Sequence, residues 1–297
     1  MRHAILGPGG VGGLIGACLA YAGDTVTMVV RREALDAYPS EIQMESPLLG
    51  KFSAPVQKAA QAQPADVLWV TVKATQLDSA MKLVPSNDIA GAVVPLLNGI
   101  DHVAKLRERF RHEQVVPATI AGETERVAPG RIVHPSPFAH LNIASSGQSR
   151  LTDAVEKLSA RGVSCRFIDN EATLLWSKLV FLAPFALSTT AFNAPIGAVF
   201  EKPEWRDMTV AALREACAVA SAEGATISVE KALHAGDNLP YDMRSSMQKD
   251  VDRGNPPELD AIGGPILRGG VRHNIAVPAT RELLGRIAQR IGRKASA

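Results

Sequence analysis

The segment HAILGPGGVGGLIGACLAYAG, residues 3–23, sets Gly7, Gly9 and Gly12 between a short apolar run and a helical pattern. Leu14, Ala17, Cys18 and Tyr21 recur at helical spacing until Gly23, and TVTMVV follows, so the start reads as a β-α-β unit. Glycines at this G-x-G-x-x-G spacing permit a tight turn and let the backbone approach a pyrophosphate. The N–H groups of Gly10, Val11 and Gly12 in the first helical turn, with the helix dipole, then hold the anion. The competing reading is that these glycines serve close packing alone.

Two later runs, ADVLWVTVK and GAVVPLLNG, are continuously apolar, as strands of a parallel sheet buried on both faces are. They end at Lys73 and Asn98, and ligands of open parallel sheets bind beyond the carboxyl ends of the strands. After TVTMVV stand Arg31 and Arg32, where an acidic residue would bind the ribose hydroxyls of NAD. A guanidinium there suits a 2′-phosphate, so NADPH is the expected cofactor. Glu33 argues the other way, unless it only complements the next helix turn.

QVVPATIA, GRIVH, AHLNIA and SCRFID read as further strands and SRLTDAVEKLSARG as a helix. From about Asn170 the pattern turns helical, with helices expected at 203–224 and 278–292. The expected architecture is α/β. An N-terminal domain with a parallel sheet covers 1–168, and an all-helical domain for substrate and dimerisation covers 169–297. With 32 Lys+Arg against 30 Asp+Glu, the net charge of +2 favours a small ligand over nucleic acid or a membrane surface. Three scattered cysteines fit neither a disulfide framework nor a zinc site, and the seven histidines show no ligand spacing. No uninterrupted apolar run has the length of a membrane span and no signal-peptide core opens the chain, so an unprocessed cytoplasmic protein is expected.

LLWSKLVFLAPFALSTTAF, residues 174–192, holds one charged residue, Lys178. Either its ammonium snorkels along its stem to water, or the apolar surroundings serve a reaction. The latter reading gains from its company: GPGGVGG, Arg31, VKATQ with Lys73, Asn98–Gly99, WSKL with Lys178, SSMQKD, and ELD with Glu258 follow one another in the order and approximate spacing found in ketopantoate reductases. The chain resembles that family along nearly its whole length. The resemblance implies a Rossmann domain and a helical domain with NADPH and a 2-oxo acid in the cleft between them. It implies Lys178 and Glu258 as catalytic residues, Lys73 and Asn98 at the cofactor and substrate, and Ser246 at the substrate. Reducing a ketone with hydride leaves negative charge on oxygen, which a lysine can neutralise with a proton.

The sequence departs from the family where the resemblance implies asparagines binding substrate oxygens. Leu182 and Ala186, one and two turns after Lys178, stand in two such places, and Ile196 and Met243 align with two more. Pro184 is expected to kink this helix. Arg244 is either a substitute clamp for the substrate carboxylate or a solvated charge. Expected, then, is an NADPH-dependent 2-oxo acid reductase and a homodimer. The alternative is a dinucleotide-binding sensor without turnover.

Overall fold

The computed structural model describes residues 1–237 and 239–295. The chain forms two compact units, Met1–Leu97 with His102–Asp169, and Asn98–Asp101 with Asn170–Ala297. The four-residue segment Asn98–Asp101, early in the sequence, thus packs with the second unit.

The first unit runs β1 (Arg2–Leu6), α1 (Gly10–Tyr21), β2 (Thr25–Val29), β3 (Glu41–Ser46), β4 (Gly50–Pro55), β5 (Gln57–Ala59), β6 (Ala65–Val70), α2 (Leu77–Met81) and β7 (Ile89–Pro95). There follow α3 (His102–Arg107), β8 (Ala118–Ala121), β9 (Glu125–Ala128), β10 (Arg131–Val133), β11 (His140–Ala144), α4 (Gln148–Ala160) and β12 (Ser164–Ile168). Its main sheet has the order β5-β2-β1-β6-β7, all neighbours parallel. Ile5, Met28, Val67, Trp69 and Val93 are fully enclosed, which accounts for the unbroken apolar runs. Leu6 pairs with Val29 and Val70, and Val70 with Pro95, so four strands end level. Gly7, Arg31 and Lys73 follow at that edge.

The later strands do not extend this sheet. β8, β11 and β12 form a three-stranded sheet in the order β12-β11-β8, while β10 joins a four-stranded sheet, β4-β3-β10-β9. In β3 only Ile42, Met44 and Ser46 face inward, a period-two pattern that continuous apolar runs do not reveal.

The second unit contains α5 (Glu171–Phe192), α6 (Ile196–Glu201), α7 (Pro203–Ala222), α8 (Val229–Asp237), α9 (Ser246–Asp252), α10 (Leu259–Arg272) and α11 (Pro278–Ala295), with no strand among its described residues. Asn170 caps α5 by accepting the Thr173 N–H at 2.7 Å, and Asn193 ends it in the left-handed conformation. Length and composition would let α5 cross a membrane. Its apolarity is used otherwise: Trp176, Leu179, Val180, Ala183 and Leu187 pack with Ala216, Val219, Ile262, Ile266, Leu283 and Ile287 from α7, α10 and α11. The helix continues through the buried Pro184.

Candidate active site

At the edge of the main sheet the glycines divide into two kinds. Gly7 has φ +92°, and a Cβ there would lie 2.6 Å from Val72 Cγ1; a Cβ on Gly12 would lie 2.4 Å from Thr71 Oγ1, and one on Gly10 2.5 Å from the Thr124 carbonyl oxygen. These three are required by the protein's own packing, helped by the Thr71 hydroxyl, which lies 2.7 Å from the Gly7 carbonyl oxygen it bonds. Gly9 is different. A Cβ on it would meet only the Gly7 carbonyl oxygen, at 3.9 Å, and packing gives no reason for its being glycine. It caps α1 from an extended conformation with no side chain to occupy the helix end. Gly13 is bonded back to Gly9 at 2.9 Å, whereas the N–H groups of Gly10, Val11 and Gly12 lie in the turn that has no carbonyls behind it. Such an end suits a pyrophosphate on dipole and donor grounds.

Arg31 follows β2 in an extended conformation and starts the short turn Arg32–Ala34, with both guanidine-bearing residues exposed. Lys73 stands in the same relation to β6 and is exposed too. The first unit therefore presents a helix N-terminus and three cationic residues along one sheet edge.

The second unit brings Lys178, Asn98 and Glu258 together. Lys178 lies seven residues into α5, and Glu258 precedes α10 as its N-cap residue, 7% exposed. Asn98 joins them: Lys178 Nζ donates to Asn98 Oδ1 at 3.1 Å, and Asn98 Nδ2 donates to Glu258 Oε2 at 3.1 Å. A lysine ammonium only donates and an ionised carboxylate only accepts, so the two partners fix which way the amide points.

The turn carrying Asn98 is itself held. Gly99 has φ +82°, and a Cβ there would sit 2.2 Å from the Ala261 carbonyl oxygen, so only glycine lets the turn lie on the start of α10. Arg268 adds a clamp, pairing with Asp260 at 2.7 Å and with Asp101. Sequence reasoning missed this clamp, although Asp260 and Arg268 lie eight residues apart on one helix face.

Burial acts on Lys178 most strongly, bringing its pKa from 10.5 down to about 8, with the Glu258 charge pulling the other way. The ammonium does not simply snorkel to water. It is half-buried, its proton is loosened by desolvation and its position is held by an amide.

Other predicted positions fall as follows. Ser246 opens α9 and is exposed; the buried neighbour Ser245 caps that helix through the Gln248 N–H at 3.1 Å and lies 2.9 Å from the Thr189 hydroxyl. Arg244 is exposed and paired with Asp252 at 3.4 Å, so a carboxylate of the protein already engages it. Ala186 is fully enclosed in the helical core, and of the two positions after Lys178 only Leu182 keeps surface. Ile196 and Met243 meet, the Ile196 N–H donating to the Met243 carbonyl oxygen at 3.0 Å.

Residues 3–146 match the family model described as ketopantoate reductase PanE/ApbA, and residues 171–290 match that of its C-terminal part. A 2-dehydropantoate 2-reductase of Caulobacter vibrioides is 29% identical over 93% of this chain and 94% of its own. The uncharacterized oxidoreductase YkpB of Bacillus subtilis is 28% identical over 94% and 95%. The crystal structure of a PanE/ApbA family ketopantoate reductase from Ralstonia eutropha superposes with a TM-score of 0.86 at 26% identity, covering 99% of this chain and all of that one. With both halves of the chain matched, this protein belongs to the ketopantoate reductase family and is an oxidoreductase of that type.

Proposed function

We propose that the protein reduces a 2-oxo acid to the 2-hydroxy acid with NADPH, using Lys178 as the proton donor. The observation that carries the reading is the lysine held by Asn98, with Glu258 behind it and a pKa near 8. Such a group is protonated at neutral pH yet gives its proton up readily, which is what a general acid needs. The C. vibrioides relative is named for the same class of reaction, on 2-dehydropantoate.

Gly9, with the N–H groups of Gly10, Val11 and Gly12, would hold the pyrophosphate, and Arg31 with Arg32 the 2′-phosphate. When bound, NADPH supplies a hydride to the carbonyl carbon. Lys178 hydrogen-bonds the carbonyl oxygen and passes its proton there as charge develops, leaving a neutral amine that water reprotonates. Asn98 keeps the ammonium on station, and Glu258 balances its charge and bonds the new hydroxyl. Lys73 would contact the cofactor and Ser246 the substrate.

The test is NADPH oxidation over a panel of 2-oxo acids, with NADPH and NADH affinities measured alongside. Charged hydrogen bonds to phosphate contribute about 1.5–3 kcal/mol, so NADPH should bind roughly ten- to a hundredfold more tightly than NADH, and Arg31→Ala should narrow the gap. Equal affinities in the unmodified protein would overturn the cofactor assignment. Tight NADPH binding with no 2-oxo acid reduced would favour a sensor instead.

A further inference from the structure

Beyond Lys178 the helix that carries it is lined with hydrocarbon side chains. On α5, Phe181 and Leu182 lie one turn beyond Lys178, and Phe185 lies two turns beyond in nearly the same direction, about 10 Å along the axis. Phe181 and Phe185 stack at 6.1 Å. Phe185 forms an apolar cluster with Ala194, Ile196 and Val199, and Met243, Phe200 and Leu239 pack against it. Phe181, Leu182 and Met243 are half-buried, so they retain surface to offer a ligand. Side chains that hydrogen-bond reappear on this helix only at Ser188, Thr189 and Thr190, and all three are enclosed: Ser188 receives the Thr209 hydroxyl at 2.8 Å, and Thr189 faces Ser245.

Polar and apolar groups are thus sorted around Lys178. Asn98 and Glu258 lie on one side, while the next two turns of the helix, residues 179–187, carry only hydrocarbon side chains. A carbonyl oxygen held at Nζ leaves the acyl substituent to pack beside Phe181 and Leu182. A hydroxyl beside those two side chains would lose water and meet carbon, whereas a methyl group would lose nothing.

We propose, building on the 2-oxo acid reductase reading, that Phe181, Leu182, Phe185 and Met243 select 2-oxo acids with a bulky, unhydroxylated apolar substituent. 2-Dehydropantoate and 3,3-dimethyl-2-oxobutanoate form a matched pair for the test, since the second is the first with its terminal hydroxyl replaced by hydrogen. The unhydroxylated acid should have the higher kcat/KM, by about ten- to a hundredfold. Titration of the two 2-oxo acids into the protein with NADP⁺, which carries no hydride to transfer, should give the same order without turnover. Leu182→Asn combined with Met243→Asn should move the kcat/KM ratio at least tenfold toward the hydroxylated acid. A preference of the unmodified protein for 2-dehydropantoate overturns the proposal while leaving the reductase reading intact. A ratio that the double variant does not move overturns the assignment to this helix face. If no 2-oxo acid is reduced at all, the reductase reading fails and takes this proposal with it.

Discussion

At neutral pH a lysine with a pKa of about 8 is roughly nine-tenths protonated, and its amine fraction grows steeply just above. For Lys178 this gives two opposite pH dependences. In reduction the proton must be present, so kcat/KM should hold below pH 8 and fall tenfold per pH unit above it. A profile flat to pH 10 would remove Lys178 as the acid. In folding, the unfolded chain holds its proton up to 10.5 while the folded one gives it up at about 8, so the lysine's contribution to stability rises with pH across that window. The cost of burying the ammonium at pH 7 is at most roughly 3 kcal/mol, and Lys178→Met should therefore not lower Tm despite losing the bond to Asn98. A Tm that drops would mean the lysine is structural. Lys178, Glu258 and Asn98 were each legible in the sequence as motif members. That Asn98 bridges the other two was not, because 80 residues separate it from Lys178 and 160 from Glu258 and only tertiary packing joins them.

Among the elements, the turn into α1 makes a sharp distinction. Gly9→Ala adds a methyl group where the protein offers no clash, so it should fold normally and bind NADPH about tenfold or more weakly. Gly12→Ala drives a methyl group against Thr71 and the Gly7 carbonyl and should lower stability by about 1–3 kcal/mol. Thermal unfolding and cofactor titration on both variants check this, and a Gly9→Ala protein with undiminished affinity would make that glycine incidental. The β-α-β unit was legible because its strands are buried on both faces and its helix is punctuated by glycine at either end. The long helices α7 and α11 were legible for their proline starts. β3, β4 and β9 escaped notice, since β9 is exposed along its whole length and β3 and β4 bury only alternate or isolated residues. Such strands depend on their partners rather than on their own composition.

For the molecule as a whole, the proposed chemistry is divided between the units. The residues proposed to hold the cofactor, Gly9, Gly10, Val11, Gly12 and Arg31, belong to the first, whereas Lys178, Asn98 and Glu258 belong to the second. NADPH binding should therefore survive changes in the second unit that abolish turnover. The Asn98–Asp101 segment, separated from β7 by two residues, supplies an amide to Lys178 in the second unit, so membership of the units does not follow the order of the sequence. The most direct measurement follows NADPH consumption by nicotinamide absorbance, with a 2-oxo acid panel, for the unmodified protein and Lys178→Met, beside a titration of NADPH into each. The account predicts consumption only when a 2-oxo acid is present, unchanged NADPH affinity in the variant, and turnover lower by about 10²–10⁴-fold. A folded Lys178→Met protein that binds NADPH and keeps near-full turnover would contradict it.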